Sequence, residues 1–124
     1  MNVKIDTKEK FQVITPQDAH PTVNMTEEWR NLLLSCRENT VKNVVLNLQE
    51  VAALPENAGE MLQEVQQQFY DEMCSFVICC LQPAVEAQLD AAGVLELLNV
   101  TPTESEAWDI VQMEEIEREL LGDE

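Results

Sequence analysis

The chain has 124 residues, of which 45% are hydrophobic and 25% charged, a balance typical of one globular domain rather than a disordered segment. Its formal net charge is −17, and residues 63–124 carry 15 acidic side chains but one basic side chain, Arg118. Such a field repels phosphate backbones and anionic lipid surfaces, which argues against nucleic-acid binding and membrane-surface binding. The acidic surface itself is either a well-solvated face or a site for a basic protein partner.

The sequence also predicts the compartment and the absence of bound groups. No apolar stretch reaches the roughly 18–20 residues of a membrane span, and MNVKIDTKEKF lacks the apolar core of a secretory signal. We therefore expect a cytoplasmic protein without direct membrane insertion. Its four cysteines lack CxxC spacing and His20 is its only histidine, so we expect reduced thiols, no metal and no cofactor. The cysteines are Cys36, Cys74, Cys79 and Cys80.

The first third of the chain predicts two strands and a helix. Apolar and β-branched residues indicate strands over 2–6 and 10–15, joined by a polar turn. The helix is predicted to start near Asn24 or Thr26 and to end at Asn39. Its apolar positions recur at helical spacing, at Trp29, Leu32, Leu33 and Cys36.

The middle of the chain alternates strands and helices. Residues 42–48 and 75–81 are almost continuously apolar, which indicates buried strands. The stretch LPENAGEML, residues 54–62, leads from the first of these strands into a helix. The apolar face of that helix contains Met61, Leu62, Val65 and Phe69.

The last third predicts two more helices around a short strand. Pro83 suits the first turn of one helix, and Gly93 suits the position after its end, where φ is positive. Residues 97–100 predict the strand. Thr103 and Glu106 fit a capping box that opens the final helix, whose apolar positions are Trp108, Val111, Ile116 and Leu120.

This order of elements predicts a single α/β domain over residues 1–124. We expect a four- to five-stranded mixed sheet, mostly parallel, with helices packed mainly on one face. The predicted core includes Val44, Leu46, Leu62, Val65, Phe69, Phe76, Ile78, Leu89 and Trp108.

The loop LPENAGEM lacks the residues that common loop chemistries need. It has one glycine and no lysine, which argues against a phosphate-binding loop. From Val41 to Met73 there is no Ser, Thr, Cys or His, so no nucleophile lies near a base. Glu50 and Glu56 could form a carboxylate pair, but the chain has 24 acidic side chains and such groups are usually solvated. We therefore predict that the protein is not an enzyme.

Two segments resemble the STAS domain, shared by sulfate-transporter tails and bacterial anti-sigma factor antagonists. VVLNLQEVAALPENAGEML is similar to the family's strand, its Asp-Ser-Ser/Thr-Gly loop and the helix that follows. FVICCLQPAVEAQLDAAGVLELLNV is similar to its next strand, with Pro83, Val85, Leu89, Gly93 and Val94 at the family's positions. The resemblance extends from about Lys10 to Leu121 and implies a STAS-like fold.

The resemblance fails at the residue that the family phosphorylates. With Gly59 as the family's glycine, Glu56 replaces its Asp, Asn57 its first Ser, and Ala58 its phosphoaccepting Ser or Thr. The phosphorylation switch is therefore predicted to be absent. The loop is either a protein-binding surface that lost this switch or an ordinary turn with Asn57 as helix cap. We also expect the fold to tolerate an aspartate at position 58.

The resemblance implies a non-catalytic protein-binding module that acts in regulation of transcription or signalling. Its partner would be an anti-sigma factor or a kinase-like ATPase. Pro55, Glu56, Asn57, Ala58, Gly59 and Leu62 are the predicted contact residues. The alternative is a small cytoplasmic STAS subunit of a membrane transport complex for lipids or anions. The sequence predicts no oligomeric state.

Overall fold

The computed structural model describes residues 2–122, which form five strands and four α-helices. The strands are β1 (Val3–Thr7), β2 (Phe11–Pro16), β3 (Asn43–Asn47), β4 (Phe76–Cys79) and β5 (Val100–Thr101). The helices are α1 (Val23–Ser35), α2 (Ala58–Asp71), α3 (Pro83–Ala91) and α4 (Glu104–Gly122). Short 3-10 helices follow α1 at Cys36–Glu38 and precede β5 at Leu95–Leu97. The predicted α/β class and order of elements are confirmed.

All five strands form one sheet in the spatial order β1-β2-β3-β4-β5. β1 pairs antiparallel with β2, and the other three pairs are parallel, as the sequence predicts. Because neighbouring strands are consecutive and parallel crossovers are right-handed, α1, α2 and α3 must all lie on the same face. α4 follows the last strand and closes no crossover, so it is free to cover the other face.

The two faces of the sheet carry two separate hydrophobic clusters. The larger cluster joins the sheet to α1, α2 and α3 and contains eight of the nine predicted core residues, all at most 1% exposed. The smaller cluster joins the opposite face to α4 through Ala107 and Val111. On the sheet its members are Phe11, Val13, Val45, Val77 and Cys79. The prediction that the helices lie mainly on one face is therefore confirmed.

Trp108 is the core prediction that is wrong, because its side chain is 42% exposed. α4 turns Ala107 and Val111 toward the sheet, and both are fully buried. Trp108, Ile116 and Leu120 do not share that face, because at 3.6 residues per turn they lie on another side of the helix. Ala107 is small, so it lets the helix approach the sheet closely, and Trp108 is left at the edge of the contact.

Some predicted boundaries also move. The strand predicted over 97–100 begins only at Val100, because a 3-10 helix occupies Leu95–Leu97. The helix predicted to end at Asn39 ends at Ser35 and tightens into a 3-10 turn. The predicted positive φ of Gly93 after α3 is confirmed, at +76°. One half of the predicted capping box is present, because the Thr103 hydroxyl accepts a hydrogen bond from the Glu106 N–H at 3.2 Å.

Candidate functional site

The loop between β3 and α2, residues 48–57, is the candidate functional site. It lies at the carboxyl ends of the parallel strands, where open α/β sheets usually place their binding sites. Two neighbouring connections leave the sheet at the same edge: residues 17–22 after β2 and residues 80–82 after β4. The three connections adjoin one another, through Ala52 with Ala19 and Gln82 with Gln49.

Hydrogen bonds from the neighbouring elements fix the backbone of this loop. On α3, the Gln88 amide donates to the Leu54 carbonyl oxygen and accepts from the Leu54 N–H, both at 2.9 Å. At the start of α3, Gln82 Nε2 donates to the carbonyl oxygen of Gln49 at 2.8 Å. The N–H of Ala52 donates to the carbonyl oxygen of Ala19 at 2.7 Å. The loop therefore has a defined shape before any partner arrives.

Asn57 links the loop to α1. It occupies the N-cap position of α2, but its side chain makes no capping hydrogen bond there. Instead, its Oδ1 accepts a hydrogen bond from the hydroxyl of Thr26 at 2.7 Å. Thr26 is only 6% exposed, whereas Asn57 is on the surface. The side chain thus joins two helices.

The six predicted contact residues do not form one exposed patch. Glu56 and Asn57 are exposed and Pro55 is half-buried, so these three can meet a partner directly. Ala58, Gly59 and Leu62 are buried, with Ala58 and Leu62 fully enclosed. The last three therefore position the start of α2 from within the core.

Close packing against α3 and its C-terminal turn explains the glycine at position 59. A Cβ added to Gly59 would lie 3.2 Å from Val94 Cγ2, closer than most such contacts. Beside it lies a cavity of about 230 Å³, lined by Leu54, Pro55, Glu56, Gly59, Gln88 and Leu89 among others. A small residue at this position thus serves the contact between α2 and α3.

The residues that hold the loop were not found from the sequence. Thr26, Gln82 and Gln88 look like ordinary solvated polar residues on helices, and the sequence gives no sign of their long-range partners. Those partners lie 31 to 34 positions away in the chain. No periodic pattern predicts a hydrogen bond over such a separation.

Cys79 and the acidic side chains of the described residues form neither an activated thiol nor a metal site. Burial raises the pKa of the Cys79 thiol, with a further contribution from Cys80, so Cys79 remains a protonated thiol and a poor nucleophile. Within residues 2–122, no group of three His, Cys, Asp or Glu side chains is placed to hold a metal ion. None of the described helices is both long enough and apolar enough to cross a membrane.

A family model for the STAS domain matches residues 6–107 of the chain. The chain belongs to the STAS domain family. The match covers both segments that carry the resemblance in the sequence, including the loop before α2. No curated protein matches the chain.

Solved structures share the STAS fold at low sequence identity. An anti-sigma factor antagonist from Mycobacterium paratuberculosis is 14% identical with a TM-score of 0.77, covering 90% of this chain and 93% of its own. The anti-sigma factor antagonist SpoIIAA in its unphosphorylated form is 13% identical with a TM-score of 0.71, covering 90% and 96%. The murine anion transporter Solute Carrier 26 family member A9 is 12% identical with a TM-score of 0.70, covering 84% of this chain but 18% of the transporter.

Proposed function

We propose that this STAS domain is a non-catalytic regulatory module that docks a protein partner through the loop before α2. The contact would be centred on Pro55, Glu56 and Asn57 and would include the neighbouring connection at residues 17–22. One observation carries the proposal: hydrogen bonds from α1, α3 and the connection at residues 17–22 hold the loop in shape, and its tip is nevertheless open to solvent. A preorganised loop loses little conformational entropy when it binds.

The partner is expected to be an anti-sigma factor or a kinase-like ATPase, which places the protein in regulation of transcription or signalling in the cytoplasm. The similarity to anti-sigma factor antagonists supports this class of partner. Binding is expected to be constitutive. Ala58 has no hydroxyl to phosphorylate, and Tyr70 carries the only hydroxyl between Val41 and Met73.

Site-specific photo-crosslinking tests the location of the contact. A benzophenone amino acid replaces Glu56 at the loop. In a matched variant it replaces Glu38, which is exposed in the 3-10 helix that follows α1. The proposal expects a cross-linked partner in extracts of the native cell from the Glu56 position only. Equal cross-linking from both positions, or cross-linking from Glu38 alone, would place the contact elsewhere.

The second candidate function is a small cytoplasmic STAS subunit of a membrane transport complex for lipids or anions. It is favoured by the similarity to the STAS-like portion of the murine anion transporter. The same cross-linking experiment separates the two candidates by the identity of the product. An ATPase of the anti-sigma class supports the first, and a subunit of a membrane transporter supports the second.

A further inference from the structure

The outward side of α4 is apolar although it faces solvent. Trp108, Met113, Ile116 and Leu120 are 42%, 60%, 56% and 71% exposed. Ile116 and Leu120 are four positions apart, Met113 lies beside both at helical spacing, and Trp108 lies on the same ridge as Ile116 with Gln112 between them. We call these four residues the α4 outer surface. Met113, Ile116 and Leu120 are neighbours on the helix, and a cluster of exposed apolar side chains marks an interaction site more often than chance.

Hydrogen bonds on the other side of α4 fix its rotation. They join Glu114 to Tyr70 at 2.7 Å, Glu115 to Asn43 at 2.6 Å and Arg118 to Ser75 at 3.1 Å. Tyr70 is on α2, Asn43 is the first residue of β3, and Ser75 immediately precedes β4. The helix cannot roll the α4 outer surface into the core without breaking these bonds. The exposure of that surface is therefore built into the fold.

The charges around the α4 outer surface are acidic. Asp109, Glu117 and Glu119 are exposed and border it. Lys8 and Lys10 line a cavity beside Trp108, but each is paired with a carboxylate, Asp6 and Glu115 respectively. From Glu104 to Leu121 the helix has seven acidic side chains, and its one basic side chain, Arg118, is half-buried and bonded toward the sheet. No basic side chain of α4 thus offsets the negative field at its outward side.

We propose that the α4 outer surface docks a basic amphipathic helix of a partner protein. The apolar side of such a helix would cover Ile116 and Leu120, and its Lys and Arg residues would meet the acidic borders. A two-fold contact between two copies would instead place acidic borders against acidic borders, which costs free energy. Anionic lipid is repelled by the same charges.

This inference goes beyond the proposed function because it concerns the other face of the sheet. The loop before α2 packs with α1 and α3, whereas α4 covers the opposite face through the smaller hydrophobic cluster. The two surfaces therefore allow one molecule to hold two protein segments at the same time, and each can be tested without disturbing the other.

A designed peptide probes the chemistry directly. The probe is an amphipathic Leu/Lys peptide of about 18 residues, long enough to form a helix when bound. The control peptide has the same composition in a scrambled order, so its charge is equal but it has no apolar side. Titration is followed by the emission of Trp108, the exposed one of the two tryptophans, since Trp29 is 3% exposed.

We expect the amphipathic peptide to bind about tenfold or more tightly than the scrambled one and to shift the Trp108 emission to the blue. The double variant Met113→Gln, Ile116→Gln should lose that preference. The control variant Leu97→Gln removes an apolar side chain that is 53% exposed and does not belong to α4. This variant should keep the preference for the amphipathic peptide. Both sets of changes are at exposed positions, so the fold is preserved.

Three results would overturn the proposal. Equal binding of the two peptides would show attraction by net charge alone. Retention of the preference in the double variant would place the site elsewhere. The third result is a dimer of the wild-type protein in sedimentation that persists in the Leu97→Gln variant but is lost in the Met113→Gln, Ile116→Gln variant. The α4 outer surface would then bind a second copy of the chain.

Discussion

The hydroxyl of Thr26 in α1 donates a hydrogen bond of 2.7 Å to Oδ1 of Asn57, the N-cap residue of α2. The two residues are 31 positions apart, and the bond spans the contact between two of the helices that cover the sheet. Thr26 is buried and Asn57 is at the loop tip, so the bond ties an exposed residue of the candidate site to the core.

This bond should contribute measurably to stability. Thr26→Val keeps the side-chain shape but removes the donor, and we expect a loss of about 0.5–1.5 kcal/mol in the free energy of unfolding. Asn57→Ala removes the acceptor and should cost at least as much. Urea unfolding of the two single variants and the double variant completes a mutant cycle. Strictly additive effects would show that the two side chains do not interact.

Aspartate at position 58 should destabilise the fold. The sequence alone suggests that the fold tolerates this change, but Ala58 is fully buried. A buried carboxylate without partners costs more than the about 1–3 kcal/mol of an unsatisfied neutral polar group, and the α2 dipole returns only about 0.3–1 kcal/mol. We therefore expect Ala58→Asp to unfold at lower urea than wild type. Wild-type stability in this variant would mean that the side chain at 58 reaches solvent.

Alkaline pH should weaken the fold through Tyr70. Burial and then its hydrogen bond to Glu114 raise the pKa of Tyr70, so the folded state keeps the phenol proton that the unfolded state loses above about pH 10. Because the folded state then binds more protons, stability falls as pH rises above that value. Tyr70 is the only tyrosine, so ultraviolet absorbance reports its ionisation alone.

A matched variant isolates this effect. Tyr70→Phe should reduce the loss of stability at alkaline pH, although it also removes the hydrogen bonds to Glu114 and Asn99 at neutral pH. Titration of Tyr70 in the folded protein at the pH of a free tyrosine would contradict the burial of its hydroxyl.

The four cysteines should differ in their reaction with alkylating reagents. Cys36, Cys74 and Cys79 are buried, and Cys80 alone is partly exposed. Burial also raises the pKa of Cys36 and Cys79, which lowers their thiolate fraction. Peptide mass spectrometry after brief iodoacetamide treatment should find label on Cys80 first, with the others labelled only after unfolding. Early label on Cys36 would show that α1 opens locally.

Much of the fold was predictable because its signals are local. The apolar runs at 42–48 and 75–81 identify the central strands, and Pro83 and Gly93 bound α3 through their own backbone preferences. The orientation of α4 was not predictable. It depends on polar contacts such as Arg118 with Ser75, 43 positions away, which no helical periodicity reveals.

The sequence predicted where the candidate site lies in the chain but not which of its residues are exposed. The order of strand, loop and helix locates the loop, and the resemblance to STAS domains identifies Gly59. Burial of Ala58 and Leu62 depends on how α2 packs on the rest of the core, so the sequence does not separate them from the exposed Glu56 and Asn57. Gln88 gains its role from a backbone contact 34 positions away.

The central claim is that the partner docks on the tip of the loop before α2, and one added charge tests it most directly. Asn57→Asp adds a negative charge at an exposed N-cap, where the α2 dipole favours it, and keeps an oxygen to accept the Thr26 hydrogen bond. Asn39→Asp adds the same charge at an exposed site beyond the other end of α1. Calorimetry with the cross-linked partner, once identified, measures Kd for both variants. We predict that Asn57→Asp weakens binding by about tenfold or more while Asn39→Asp leaves Kd unchanged. An unchanged Kd for Asn57→Asp, with the fold intact, would contradict the claim.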